Sequence, residues 1–386
     1  MCKKVICLAL VLSLGFALCS CSNISIYSQQ HEPEDFILIR TIGLDRSDGL
    51  VTVTASTGTG LDKEPPSVFT ASAKTLAEAI SNIRYGHLHA EAYFSHISQI
   101  VLGEEAAKQG IEEYLDYFAR NINMRLASNI YVGKGDTAAG LIEKANGGDV
   151  SETDMLTSID EKAIYVLMGN ASTCTDVLSG LTQRKTALIT AIEPGKSMEI
   201  TNEDAFGIYP KGYALIKDGK LTDYIDEYTS SGIGMIKNEI TSGPLTVTAE
   251  DGTPITLNMT SLKTNISGSY SEETIERVNI NVKASFNVES MSGGGKLSSE
   301  KERDKIETLA SEELYNRIAS AIVYARNEKT DVLGLSDALA VKNPYKFRKT
   351  EDRWEEVFPS VTVTVNVTSR LQRTYDILDT PNIQGE

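Results

Sequence analysis

Met1 to Cys21 constrains this chain more than any other stretch. Lys3 and Lys4 open it, Val5 to Leu18 is an almost unbroken apolar run, and Leu18-Cys19-Ser20-Cys21 closes it. A positive start, a short apolar centre and a small residue before a cut are the layout of a secretory signal peptide. The run is about 14 residues long, whereas a helix needs about 20 to cross a hydrocarbon core of roughly 30 Å. A permanent transmembrane helix is therefore the weaker reading, and the rest of the chain is expected to fold outside the cytoplasm.

The end of that stretch resembles the lipobox of bacterial lipoproteins, with Leu18 three places before the cut, Ser20 at it and Cys21 after it. The resemblance implies a signal peptide of residues 1–20 and a diacylglycerol on the Cys21 thiol, so Cys21 is the expected lipidation site. The blander alternative is a secreted protein whose cysteine is incidental. Burial is worth about 0.8 kcal/mol per CH₂ and one chain alone anchors marginally. Two chains would keep a water-soluble body permanently at a membrane surface.

Charge narrows the partners. The chain carries a formal charge of −16, and loss of Lys3 and Lys4 with the signal takes the body to −18. Nucleic-acid affinity comes largely from neutralising phosphates, so no nucleic acid is expected, and a flat association with anionic lipid is disfavoured. Of five cysteines, cleavage leaves Cys21 and Cys174. With Cys21 lipidated, no intramolecular disulfide remains, and Cys174 reads as a small buried apolar residue. The mature length predicts two or three domains.

Ser22 to Asp35 is polar and reads as a tether. Phe36 to Asp45 and Leu50 to Thr57 are β-branched, and Ser47-Asp48-Gly49 between them signals a hairpin turn. Thr75 to Tyr85 places Leu76, Ala79, Ile80 and Ile83 on one helical face behind a Thr75 cap. His96 to Gly103 is strand-like, Glu104 to Asn121 reads as one amphipathic helix, and Ala187 to Ile192 as a strand. From Phe206 the texture becomes strand-rich, with a tight turn at Asp218-Gly219. Ser298 to about Glu328 is the longest helix, Asp331 to Ala340 a short one, and Val361 to Val367 the last strand.

The order of these features resembles the Ger(x)C spore germination lipoproteins, the C subunits of nutrient germinant receptors. The pieces that carry it are Ile42-Gly43-Leu44-Asp45, Thr75 to Ile80, Ser95 to Glu104, the Gly212 to Leu221 hairpin, and Asp331-Val332-Leu333-Gly334-Leu335 with the downstream Trp354. The resemblance implies an α+β, three-domain extracytoplasmic body with mixed or antiparallel sheets and one long helix in its C-terminal domain. The expected divisions are a tether at 21–34, an N-terminal α+β domain at 35–198, a strand-rich middle domain at 199–270, a C-terminal α+β domain at 271–376 and a polar tail at 377–386. It implies a non-catalytic subunit, lipid-anchored on the outer face of the inner spore membrane. Its implied partners are an integral-membrane receptor subunit and a transporter-like subunit.

The residues themselves offer little chemistry. His87, His89 and His96 fall within ten positions, and a His-x-His pair on a strand would set two rings on one face for a metal. The preferred reading is a polar loop entering a strand, with no metal and no cofactor. No Gly-x-Ser-x-Gly is present, and the glycine-rich points lack phosphate-loop context. Trp354 reads as the anchor of a core layer. No catalytic residue is assigned. The alternative function is a solute-binding lipoprotein of a transporter, which needs two similar lobes around a cleft.

Overall fold

The computed structural model describes residues 36–59, 65–86, 91–146, 150–196, 206–271, 274–291 and 300–373. Cys21, the tether, His87, His89 and the polar tail lie outside the described residues.

A short strand β1 (Phe36–Leu38) leads into the hairpin β2 (Thr41–Ser47) and β3 (Leu50–Ser56). Asp48 and Gly49 take φ of 51° and 76°. Two left-handed residues match the twist of the flanking strands, which is why an Asp-Gly pair serves there. β4 (Val68–Ala73) follows, then α1 (Leu76–Tyr85), where the Thr75 hydroxyl accepts from the Glu78 N–H and Leu76, Ala79, Ile80 and Ile83 are buried. β5 (Glu91–Tyr93) pairs in parallel with β1, and β6 (Gln99–Leu102) is buried along its whole length.

The helix expected over Glu104 to Asn121 is two helices, α2 (Glu104–Gln109) and α3 (Glu112–Arg120). Gly110 turns the chain at φ 131°, a conformation that only glycine adopts readily, and the Ile111 N–H leaves the helical ladder for the Gly219 carbonyl. β7 (Asn129–Gly133), α4 (Ala138–Asn146), α5 (Glu152–Lys162), α6 (Cys174–Arg184) and β8 (Thr186–Lys196) complete the helix-rich half. The long hairpin β9 (Phe206–Lys217) and β10 (Lys220–Ile225) comes next, turning through Asp218 and Gly219.

These strands make one sheet in the order β10-β9-β8-β7-β6-β2-β3-β4. Its four central strands, β2, β6, β7 and β8, run parallel, and an antiparallel hairpin closes each flank. Parallel strands are covered on both faces, and alternate residues divide accordingly. Ile100, Leu102, Ile130 and Val132 join the core beneath α1, α3 and α6, whereas Val101, Tyr131 and Ile192 meet Ala138, Leu141 and Leu156 of α4 and α5.

α7 (Glu227–Ile236) links the halves. Asp226 caps it through the Thr229 N–H, and every residue from Thr229 to Ile236 is buried. β11 (Gly243–Thr248), β12 (Pro254–Tyr270) and β13 (Ile275–Met291) then form an antiparallel meander. α8 (Glu300–Asn327) covers it with Ile306, Ala310, Leu314, Ile318 and Ala325. α7 packs on α8 at Gly232, where a side chain would collide with the Arg317 carbonyl oxygen. The chain ends through α9 (Leu335–Lys342), α10 (Pro344–Glu351), α11 (Trp354–Val357) and β14 (Thr362–Arg373).

The architecture is α+β, as expected. The division into units differs from the expected one. The stretch 199–270 is not a separate sheet, because β9 and β10 complete the first sheet while β11 and β12 begin the second. β12 and β13 pair across the boundary expected at 270, from Ile255↔Met291 to Tyr270↔Ile275. The reason is length: both strands run 17 residues and bury one face against α8. β14 lies parallel to β13, not antiparallel, since the whole helical segment intervenes between them.

Candidate functional site

Ligands of open α/β sheets usually bind outside the carboxyl ends of parallel strands. In this chain those ends carry Asp45 in β2, just past its parallel pairing with β6, Glu104 after β6, Lys134 after β7 and Glu193 in β8, and the protein's own groups fill the space. The Asp45 carboxylate accepts from the Ala138 N–H with one oxygen and the Ala139 N–H with the other, each at 2.9 Å. A helix N-terminus is a ready anion site, and here the anion is a side chain from a strand more than ninety residues earlier. Burial pushes the Asp45 pKa up, and the two backbone bonds only partly oppose it.

Two glycines make this possible. A Cβ on Gly43 would meet Ile142 Cδ1 at 2.7 Å and Ala138 Cβ at 2.9 Å, and one on Gly103 would overlap the Asp45 carboxylate. The Gly-Leu-Asp and Gly-Glu pairs singled out in the sequence are thus two halves of one joint, with strands and helix drawn together by small residues and pinned by a carboxylate.

Glu104 sits beside it. It accepts from the Gly135 N–H and, at 3.1 Å, from the Tyr224 hydroxyl, and pairs with Lys108 at 2.6 Å. Burial raises its pKa, but the bonds from Lys108, Gly135 and Tyr224 outweigh that and hold it below the usual range. Lys134 lies 5.3 Å from the Tyr224 ring centroid and pairs with Glu193 at 3.0 Å. A run of charges that could have read as a binding site is a self-satisfied network.

A second joint lies within the C-terminal half, where the segment after α8 meets α9 and α11. Asp331 receives three donors: the Leu335 N–H at 3.0 Å, the Ser336 N–H at 2.7 Å and the Trp354 indole N–H at 2.9 Å. Gly334, at φ 69°, turns the chain so that α9 starts over this carboxylate. Trp354 packs between Phe347 and Phe358, with centroids 5.4 and 5.7 Å away. The Asp331 to Leu335 motif and its distant Trp are therefore a helix cap locked to an aromatic core. Nearby, Arg184 of α6 pairs with Asp337 of α9 across a cleft of about 470 Å³ that also meets Tyr213 and Glu239.

The histidine cluster is not drawn together as a site by the described residues. His96 is exposed on the turn after β5 with its ring 6.0 Å from that of Tyr93, and Glu91 pairs with Arg84. Among the described residues no group of three or more His, Cys, Asp or Glu side chains could hold a metal ion. Cys174 is buried at the start of α6, where burial pushes its thiol up to about 12, so it is a neutral core group and not a nucleophile. Among the described residues the two halves are not the similar lobes that a solute-binding protein needs: one is built on an eight-stranded mixed sheet and the other on a four-stranded one.

Three comparisons agree with this architecture. Residues 29–194 match the family described as "Spore germination protein N-terminal domain", and residues 211–375 match "Spore germination B3/GerAC like, C-terminal". Spore germination protein KC of Bacillus subtilis (strain 168) is 23% identical over 381 residues, covering 89% of this chain and 91% of the relative. Spore germination protein B3 of the same organism is 23% identical over 303 residues, covering 75% and 76%. The crystal structure of the GerBC protein superposes with a TM-score of 0.55 at 17% identity, covering 86% of this chain and 97% of that one. With both halves matched in order across the joint at α7, the chain belongs to the Ger(x)C, or GerAC-like, family of spore germination proteins.

Proposed function

We propose that this chain is a lipid-anchored, non-catalytic subunit of a spore nutrient germinant receptor, needed for the receptor's assembly and function. The observation that carries the reading is the match of both family domains, in order, behind a Leu18-Cys19-Ser20-Cys21 signal ending. Cys21 confines the body to the outer face of the inner spore membrane. Confinement raises its effective concentration near membrane partners without any new contact. Those partners are an integral-membrane receptor subunit and a transporter-like subunit. The use of Asp45, Glu104 and Asp331 as acceptors for the chain's own donors supports a docking body over a reaction centre.

Labelling with radioactive palmitate tests the anchor: the native chain takes up label and Cys21→Ala does not, and an unlabelled native chain would remove it. Spores lacking the chain should lose germination on the nutrients their receptor serves. An unchanged response to every nutrient would refute the receptor role.

A further inference from the structure

β14 is an outer strand of the second sheet, and its inner edge is occupied by β13 from Arg277↔Thr362 to Asn287↔Arg373. Successive residues of a strand turn their N–H and C=O groups to opposite edges. On the outer edge α8 holds both ends. Arg326 donates to the Val361 carbonyl at 2.6 Å, the Ser369 N–H donates to Ser311 Oγ at 3.1 Å, and the Leu371 N–H donates to Glu307 Oε1 at 2.8 Å. Between these clamps the same alternation puts Val363, Val365 and Val367 on the outer edge. Their outward N–H groups meet no partner among the described residues.

Edges of this kind are normally blunted by charge, proline or a bulge. Thr362 to Thr368 carries no charge and no proline, and the one shift in the ladder comes later, at Phe286/Asn287. The surface beside it is apolar where an added strand would lie. Val363, Val365 and Val367 are only half-buried. On α8, Tyr315 is 46% exposed one turn after Ser311, and Val323 is 57% exposed one turn before Arg326. The groove between α8 and β14 measures about 620 Å³, and every charged side chain lining it is a carboxylate: Asp304, Glu307 and Glu312.

We propose that this edge docks an extended segment of a partner protein, rich in β-branched residues and bearing Lys or Arg, as a fifth strand of the sheet. The backbone row supplies the hydrogen bonds, alternate side chains enter the apolar flank, and the acidic wall selects the cation. Charge disfavours two nearer occupants. The body of a second copy, without Lys3 and Lys4, carries −18, and residues 374–386 hold Asp376, Asp379 and Glu386 with no Lys or Arg. The inference rests on the reading of the chain as an assembly subunit and names the surface that reading leaves open.

The test is amide hydrogen exchange on the full lipidated chain in detergent, with two synthetic seven-residue probes of alternating Val and Thr, one flanked by Lys and one by Glu. The basic probe should slow exchange at Val363, Val365 and Val367 by about tenfold or more, and the acidic probe should not. Val365→Pro removes an outward donor and keeps a half-buried apolar side chain, a change an outer strand tolerates, and Glu312→Lys changes only a surface charge, so both variants should fold and lose the protection. No protection, or equal protection by the acidic probe, overturns the proposal and leaves the receptor reading to its own test. Protection that rises with protein concentration alone makes a second copy the occupant, and protection lost on truncation after Arg373 makes it the chain's own tail; either result overturns the proposal.

Discussion

Asp331→Ala should be among the most damaging single changes in the second half of the protein. Asp331 and Trp354 are 8% and 5% exposed, so water cannot replace what the carboxylate provides. Removing it deletes the acceptor that starts α9, worth about 1 kcal/mol. It also strands the buried Trp354 indole N–H, at about 1–3 kcal/mol for an unsatisfied donor. The sum is about 2–4 kcal/mol, or about 4–16 °C for a unit of this size. Trp354 is the single tryptophan and reports the site directly. Urea unfolding followed by its fluorescence should show a lower midpoint at unchanged slope. Asp331→Asn, which keeps an acceptor oxygen, should fall between native and alanine. In circular dichroism, Trp354→Phe should cost less than Asp331→Ala, and the double variant should cost less than the two combined. An Asp331→Ala protein within about 1 kcal/mol of native, or strict additivity with Trp354→Phe, would refute the three-donor hub.

Further outcomes follow from the joint around Asp45 and from the core. Gly103→Ala forces a Cβ into the Asp45 carboxylate and should destabilise the first sheet by about 1–3 kcal/mol; a neutral result in thermal melting would contradict the close approach. The folded pKa of Asp45 lies above its unfolded value of 3.8. Its contribution to stability is therefore full below 3.8 and declines as pH rises through the folded value. Carboxyl NMR should show Asp45 titrating above 3.8, and a lower value would reverse the sign. Cys174, buried with a thiol pKa of about 12, should resist alkylation in the native chain and react only as fast as the protein opens. Rapid labelling of Cys174 in peptide mapping would place it outside the core.

Local chemistry made part of this fold legible. The stripe Leu76, Ala79, Ile80 and Ile83 and the Asp-Gly turns at 48–49 and 218–219 are short-range signals, and the structure bears them out. The single helix expected over 104–121 failed because amphipathic spacing runs on through Gly110, while the backbone turn there is set by a distant partner, the Gly219 carbonyl. The separate middle unit failed for a similar reason: strand texture does not say which sheet a strand joins. Asp45 and Asp331 stood out only through family resemblance. Their roles depend on donors that the fold brings from α4 and α11, and spacing along the chain carries no trace of those contacts; the α9 cap on Asp331 is local.

The most direct test of the receptor reading is co-purification from detergent-solubilised spore membranes, comparing the native chain with Cys21→Ala. The account predicts that the native chain brings down a multi-pass receptor subunit and a transporter-like subunit, with less of both for Cys21→Ala because the tether no longer concentrates the body at the membrane. A native chain that comes down alone would contradict it.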